Sequence, residues 1–188
     1  FTLNKLYRHV TVLTTADKNI TGERLGRANI HVMPNPLALH PLVWTDEGWK
    51  MPDGEYVEKK PIVLAAGRLE DWHSKGFDLL IKAWGMLDPE VRKKWTLKIA
   101  GKETPKSLAY LKNLCKQYGV ENSVKFLGFR EDIDKLMQQA SIFVLSSRYE
   151  GFGLVLIEAM SQGCACIAAD YKGRQKEIFG SIDNGIAI

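Results

Sequence analysis

From residue 61 onward the chain alternates short apolar runs with stretches whose apolar residues recur at helical spacing. Pro61-Ile62-Val63-Leu64-Ala65-Ala66, Trp95 to Ala100, Ser123 to Leu127, Ser141 to Leu145 and Cys164 to Ala168 have the length and type of buried parallel strands. Between them, Phe77 to Leu87, Thr104 to Tyr118, Glu131 to Gln139 and Gly153 to Gln162 read as helices. This regular alternation predicts an α/β domain with a parallel sheet, right-handed crossovers and helices on both faces. Ligands of such sheets bind outside the carboxyl ends of the strands, where Arg68, Phe129 and Glu150 fall.

Residues 1–60 follow another pattern. Val10-Thr11-Val12-Leu13-Thr14 has the character of a strand, Met33-Pro34-Asn35-Pro36 is a turn, and Leu37 to Lys60 reads as a long loop. The aromatic residues of that loop, Trp44, Trp49 and Tyr56, are expected to pack against the domain. No internal repeat or low-complexity segment interrupts the chain.

Charge is oddly placed in the run from Glu150 to Glu158, where the seven residues between two glutamates are all apolar or glycine. Glu150 belongs to the loop after the strand Ser141 to Leu145. Gly151 to Gly153 then lead into a helix whose first turns, Leu154 to Met160, are apolar nearly all round, the mark of a buried helix. A carboxylate within it at Glu158 either reaches water at the sheet's rim or needs hydrogen-bond donors, and a sugar or ribose diol is a neutral group that supplies them. Glycines before a helix start make a tight turn, and they also let an anion approach free N–H groups closely. The spacing is not a dinucleotide fingerprint, since its third glycine would fall on Leu156, and no P-loop is present.

Composition adds limits. The chain has 188 residues, 45% of them apolar, and a net charge of +4, compatible with an anionic ligand without demanding one. Nothing points to nucleic acid as a partner. No stretch approaches the length of a membrane-spanning helix. The three cysteines make no disulfide framework; Cys164 and Cys166, alternating along one strand, share a face, and no Cys or His cluster completes a metal site. A reducing cytoplasm suits this chain, with peripheral contact at the inner face of a membrane left open. Asp132-Ile133-Asp134 has the spacing of a metal-binding Asp-x-Asp, but acidic residues in a helix's first turn explain it through the helix dipole.

The Glu150 and Glu158 pair, the stretch Ser147-Arg148-Tyr149-Glu150-Gly151-Phe152-Gly153 and Glu158-Ala159-Met160 occur with Gly67-Arg68-Leu69 and Lys75-Gly76 upstream. With Met33-Pro34-Asn35-Pro36, Ile99-Ala100-Gly101 and Val124 to Phe129, in that order, this set resembles the retaining GT-B glycosyltransferases, the large group with a Glu, seven residues, Glu signature. The resemblance spans roughly residues 30 to 188. It implies the Rossmann-like, carboxyl-terminal half of a two-domain GT-B fold. Residues 1–36 would then be the end of an amino-terminal domain and its hinge, 37–60 a loop or linker, and 61–188 a nucleotide-sugar-binding domain cut short at its carboxyl end. The acceptor, a saccharide or glycolipid, would meet the other domain, and this chain alone would be inactive.

By the same resemblance, Arg68 and Lys75 contact the donor diphosphate and Glu150 the donor sugar's hydroxyls, together forming the catalytic set. Glu158 takes the ribose hydroxyls, the amides of Gly151, Phe152, Gly153 and Leu154 lie near sugar and phosphate, and Phe129 and Arg130 meet the base. The implied donor is a UDP-sugar used without a separate cofactor or metal, in a front-face displacement with retention. Arg174 and Glu177 match the family's later loop loosely. The chain departs from the family where Lys102 and Glu103 replace a common glycine pair, and where Ser146 and Ala165 replace common prolines. A GT-B sugar phosphorylase and a non-catalytic nucleotide-sugar-binding module are the alternatives.

Overall fold

The computed structural model describes residues 9–25, 29–171, 174–180 and 185–188. Its first unit is β1 (Val10–Val12), α1 (Thr15–Leu25) and β2 (Ile30–Val32), with β1 and β2 paired in parallel. The stretch expected to be a loop contains an antiparallel hairpin, β3 (Val43–Thr45) and β4 (Gly48–Lys50). Its strands are three residues each, too short for periodicity to register. Trp44 and Trp49 meet edge to face across it, and Trp49 packs on Gly163, where a Cβ would lie 2.8 Å from the indole. Trp44 and Tyr56 stay exposed, so the expected packing holds for Trp49 alone.

The remaining strands form one parallel sheet of six: β5 (Lys60–Ala66), β6 (Thr96–Ala100), β7 (Val124–Phe126), β8 (Ala140–Leu145), β9 (Ala165–Ala168) and β10 (Gly185–Ala187). Their order is β10-β9-β8-β5-β6-β7, the doubly wound order in which the chain reverses direction between β5 and β8. The connecting helices are α2 (Phe77–Gly85), α3 (Pro89–Lys94), α4 (Pro105–Gln117), α5 (Ile133–Gln139), α6 (Leu154–Ser161) and α7 (Arg174–Phe179). Of these, α3 and α7 were not expected. The Asp88-Pro89 pair is the start signal for α3, its side chain accepting from Glu90 N at 2.8 Å. No helix of the described residues is long and apolar enough to cross a membrane.

Alternation along β5 explains the two cores. Val63 and Ala65 face one side with Leu97 and Ile99, where Phe77, Leu80, Ile81 and Trp84 of α2 and Leu111 and Cys115 of α4 close over them. Ile62 and Leu64 face the other side with Phe143 and Leu145, beneath Met137 of α5, Leu156 and Ala159 of α6 and Phe179 of α7. Cys164 and Cys166 share this second core, and burial pushes their thiols up to about 11 and about 12. The helix at Leu154 is less buried than its composition predicted. Leu156 and Ala159 are covered, whereas Leu154 is 39% exposed, because α6 packs one flank on β8, β9 and α5 and turns its start toward the reversal point.

Candidate functional site

Where β5 and β8 run side by side, their carboxyl ends release two loops that carry most of the expected site. The first passes Gly67 and Arg68, makes a 3-10 turn at Leu69–Asp71 and reaches α2 through Lys75 and Gly76. The second runs from Ser146 to Gly153. They are sewn together: Arg148 N donates to Ser74 O at 2.8 Å, and Ser146 Oγ donates to Lys75 O at 2.8 Å. Gly76 has φ +65°, and a Cβ there would sit 1.9 Å from Ser146 O, so the crossing tolerates only glycine. Ser146, standing where the resemblance would place proline, supplies a hydroxyl to this crossing.

The crossing sets Lys75 against Glu150, Nζ to Oε1, at 2.6 Å, with both side chains largely buried. The same oxygen accepts from the buried Ser147 Oγ at 2.8 Å. A fork from Arg148 braces the arrangement, reaching Asp78 through both carboxylate oxygens at 2.7 and 2.8 Å and the His73 carbonyl at 2.6 Å. Burial of Asp78 is the largest single influence and opposes its ionisation, but the hydrogen bonds and charge of Arg148, joined by the backbone N–H groups of Leu79 and Asp78, together outweigh it and hold the carboxyl below its ordinary range. Ser147, Arg148 and Asp78 were not singled out as site residues. Arg148 and Asp78 are 70 positions apart, and only the register of β5 against β8 brings them together.

A hollow of about 340 Å³ opens here, walled by Arg68, Lys75, Glu150, Gly153, Leu154 and Val155. Gly153 caps α6 in the left-handed conformation with no side-chain cap bond, so amides at the helix start remain for a ligand or water. An adjoining, mostly apolar hollow of about 380 Å³ shares Arg68 and adds Gly101, Lys102, Phe129, Arg130 and Ile133. Arg68 is exposed at the junction, paired with Asp71 at 2.6 Å. Arg130 is held flat by Asp132 through 2.8 and 2.6 Å bonds, which accounts for Asp132 in the Asp-x-Asp sequence.

The other expected residues are placed differently. Gly151 and the buried Phe152 lie in the same turn but not on the wall of the hollow. Glu158 is on neither wall; it is half-buried further along α6, and burial raises its carboxyl above the ordinary range. Glu177 ties α7 to α1, accepting from Thr15 N at 2.6 Å and Ala16 N at 3.0 Å. The side chain of Arg174 lies outside the described residues.

A sequence model of the glycosyl transferases group 1 family matches residues 50–188. The chain belongs to that family. It is 30% identical over 177 residues to an uncharacterised glycosyltransferase of Haemophilus influenzae, covering 94% of this chain and 46% of the relative. It is 32% identical over 130 residues to a Campylobacter jejuni N-acetylgalactosaminyltransferase, covering 69% of this chain and 33% of that protein. The chain thus spans less than half the length of these curated relatives. Among solved structures, Anabaena HepE in complex with UDP superposes with a TM-score of 0.74 at 24% identity, covering 96% of this chain and 49% of that one. This group 1 glycosyltransferase therefore carries the Rossmann-like α/β sheet of the GT-B enzymes. Its Lys75, Glu150 and glycine turn lie at the reversal point of the sheet, where such folds bind ligands.

Proposed function

We propose that this group 1 glycosyltransferase moves a sugar with retention from a UDP-sugar to a saccharide or lipid-linked acceptor, and that the described sheet binds the donor. The observation that carries the reading is the Lys75–Glu150 pair facing open helix amides at the β5–β8 reversal. Arg68 and Lys75 supply positive charge where a leaving diphosphate gathers negative charge, an effect strongest in a dry cleft. Glu150, already accepting from Lys75 and Ser147, takes further hydrogen bonds from the donor sugar's hydroxyls. Phe129 and Arg130 flank the base in the apolar hollow, and Glu158 accepts from the ribose diol.

In the step itself, the acceptor oxygen bonds to the anomeric carbon on the face from which UDP departs. The carbon–oxygen bond to the diphosphate breaks, and the leaving phosphate oxygen takes the acceptor's proton. Cationic side chains at the diphosphate make an obligatory divalent metal unnecessary. The choice of UDP draws on the HepE complex. The lipid-linked acceptor draws on the Campylobacter enzyme, named for a diphospho-undecaprenol substrate. A reducing, cytoplasmic compartment suits three buried cysteines that form no disulfide. Screening nucleotide sugars against the intact protein, with NMR of the product's anomeric centre in the presence and absence of EDTA, tests the reading. Retained configuration with full EDTA tolerance is expected; an inverted product or complete loss of turnover in EDTA overturns the mechanism.

A further inference from the structure

We propose that Gln175 is a positioning residue of the donor site, and that its buried side-chain amide takes the Phe152 carbonyl when the glycine turn closes on a diphosphate. The inference rests on the donor reading above and deepens it. Gln175 lies in the first turn of α7, and its side chain is wholly buried. Its backbone N donates to Asp170 Oδ1 at 3.2 Å, and its Oε1 accepts from Tyr171 N at 2.8 Å. Since an N–H faces that oxygen, the other branch of the amide is the nitrogen. Among the described residues, Nε2 is the only buried side-chain donor without a partner.

Nε2 approaches the donor site from behind. A Cβ on Gly153 would stand 3.8 Å from it, so the absent side chain leaves the amide a way to the turn that walls the hollow. The loop before Gln175 also meets the loop that bears Glu150: the rings of Tyr171 and Tyr149 touch edge to face, with centroids 5.5 Å apart. On the turn itself, the carbonyls of Gly151 and Phe152 accept no hydrogen bond among the described residues. An unused donor and unused acceptors thus border one another in the free protein.

A buried donor without an acceptor costs stability, and peptide geometry supplies the acceptor on binding. A trans peptide directs its N–H and its C=O to opposite sides. When Gly153 N–H swings to a phosphate oxygen in the hollow, the Phe152 C=O of the same peptide swings inward to Nε2. Glycine at φ +81° permits that rotation, which a Cβ would resist. The bond formed behind the turn exists only in the bound arrangement, so the amide shifts the turn toward it.

The test uses the intact protein, isotope-labelled in its glutamine side chains, with the Gln175 signals assigned through bonds and UDP as the titrant. At saturation the Gln175 side-chain amide should move downfield and exchange more slowly with solvent. Gln175→Met keeps the volume and loses both polar atoms; it should bind UDP about tenfold more weakly by calorimetry, the worth of one hydrogen bond gained. Its thermal midpoint without ligand should fall little, because the idle donor leaves together with the Tyr171 contact. Unmoved amide signals at saturating UDP overturn the proposal and make a buried water the partner. So does a variant that is less stable yet binds UDP as the wild type does. The NMR measurement needs no variant, so it decides the matter even where Gln175→Met fails to fold. A wild type that does not bind UDP overturns the donor reading and this proposal with it, whereas binding without an amide response overturns this proposal alone.

Discussion

Lys75 Nζ and Glu150 Oε1 meet at 2.6 Å although 75 positions separate them in the chain. Each arrives on a loop from one of two neighbouring parallel strands, β5 and β8, where the sheet reverses its winding. A cation and an anion, already desolvated together, are thereby held at the mouth of the hollow before any ligand arrives.

This pairing predicts coupling. Lys75→Ala and Glu150→Ala should each destabilise the protein, because either leaves a largely buried charge without its partner. The double variant should lose less than the sum, with a coupling of about 1–3 kcal/mol. Denaturant unfolding of the four proteins measures it; strict additivity would mean that the contact contributes nothing.

Arg68 is exposed and its side chain pairs with the nearby carboxylate of Asp71, so its removal should spare the fold and weaken the ligand. Arg68→Ala should cost about 1.5–3 kcal/mol in UDP affinity as a lost charged hydrogen bond. Calorimetry on the intact protein checks this, and unchanged affinity would remove Arg68 from the diphosphate site.

Glu158 should discriminate between sugars of the nucleotide. Its half-buried, raised carboxyl on α6 gains most from a diol with two donors, so Glu158→Ala should weaken UDP more than 2′-deoxy-UDP. Equal losses would make the residue structural.

The Arg148–Asp78 fork should appear in the acid limb of stability. The folded carboxyl of Asp78 lies below its ordinary value, so its contribution is fully present above the unfolded value of about 3.9 and disappears as pH falls through the folded one. Asp78→Asn should lower stability at neutral pH by about 1–3 kcal/mol, with the gap to wild type narrowing only below about pH 4. A gap of constant size throughout thermal unfolding at acid pH would exclude the ion pair as its source.

Much of the local structure was legible in the residues. Five of the six strands of the large sheet, all but β10, have counterparts in the expected apolar runs, and the helices at Phe77, Pro105, Ile133 and Leu154 fall within the expected spans. The capping box of α4 is readable from Thr104-Pro105 and Ser107, with Ser107 N donating to Thr104 Oγ1 at 3.1 Å. Among site residues, Arg68, Lys75, Glu150, Gly153 and Leu154 share one hollow, with Phe129 and Arg130 beside it. Short elements escaped: the hairpin at Val43–Lys50, α1, β2, α3 and α7 are too brief or too weakly amphipathic for a periodic signal.

What the sequence by itself determined is periodicity and local chemistry: which runs become strands, which faces are apolar, and which loops carry charge and glycine. Tertiary structure alone decided which loops meet. Strand order joined β5 to β8 and so set Lys75 on Glu150 and Arg148 on Asp78. It also left α6 open on one flank, with Leu154 exposed at its start. The reason is physical: alternation and helical spacing are properties of neighbours a few residues apart, whereas strand order is settled by the packing of whole layers, which no local pattern encodes.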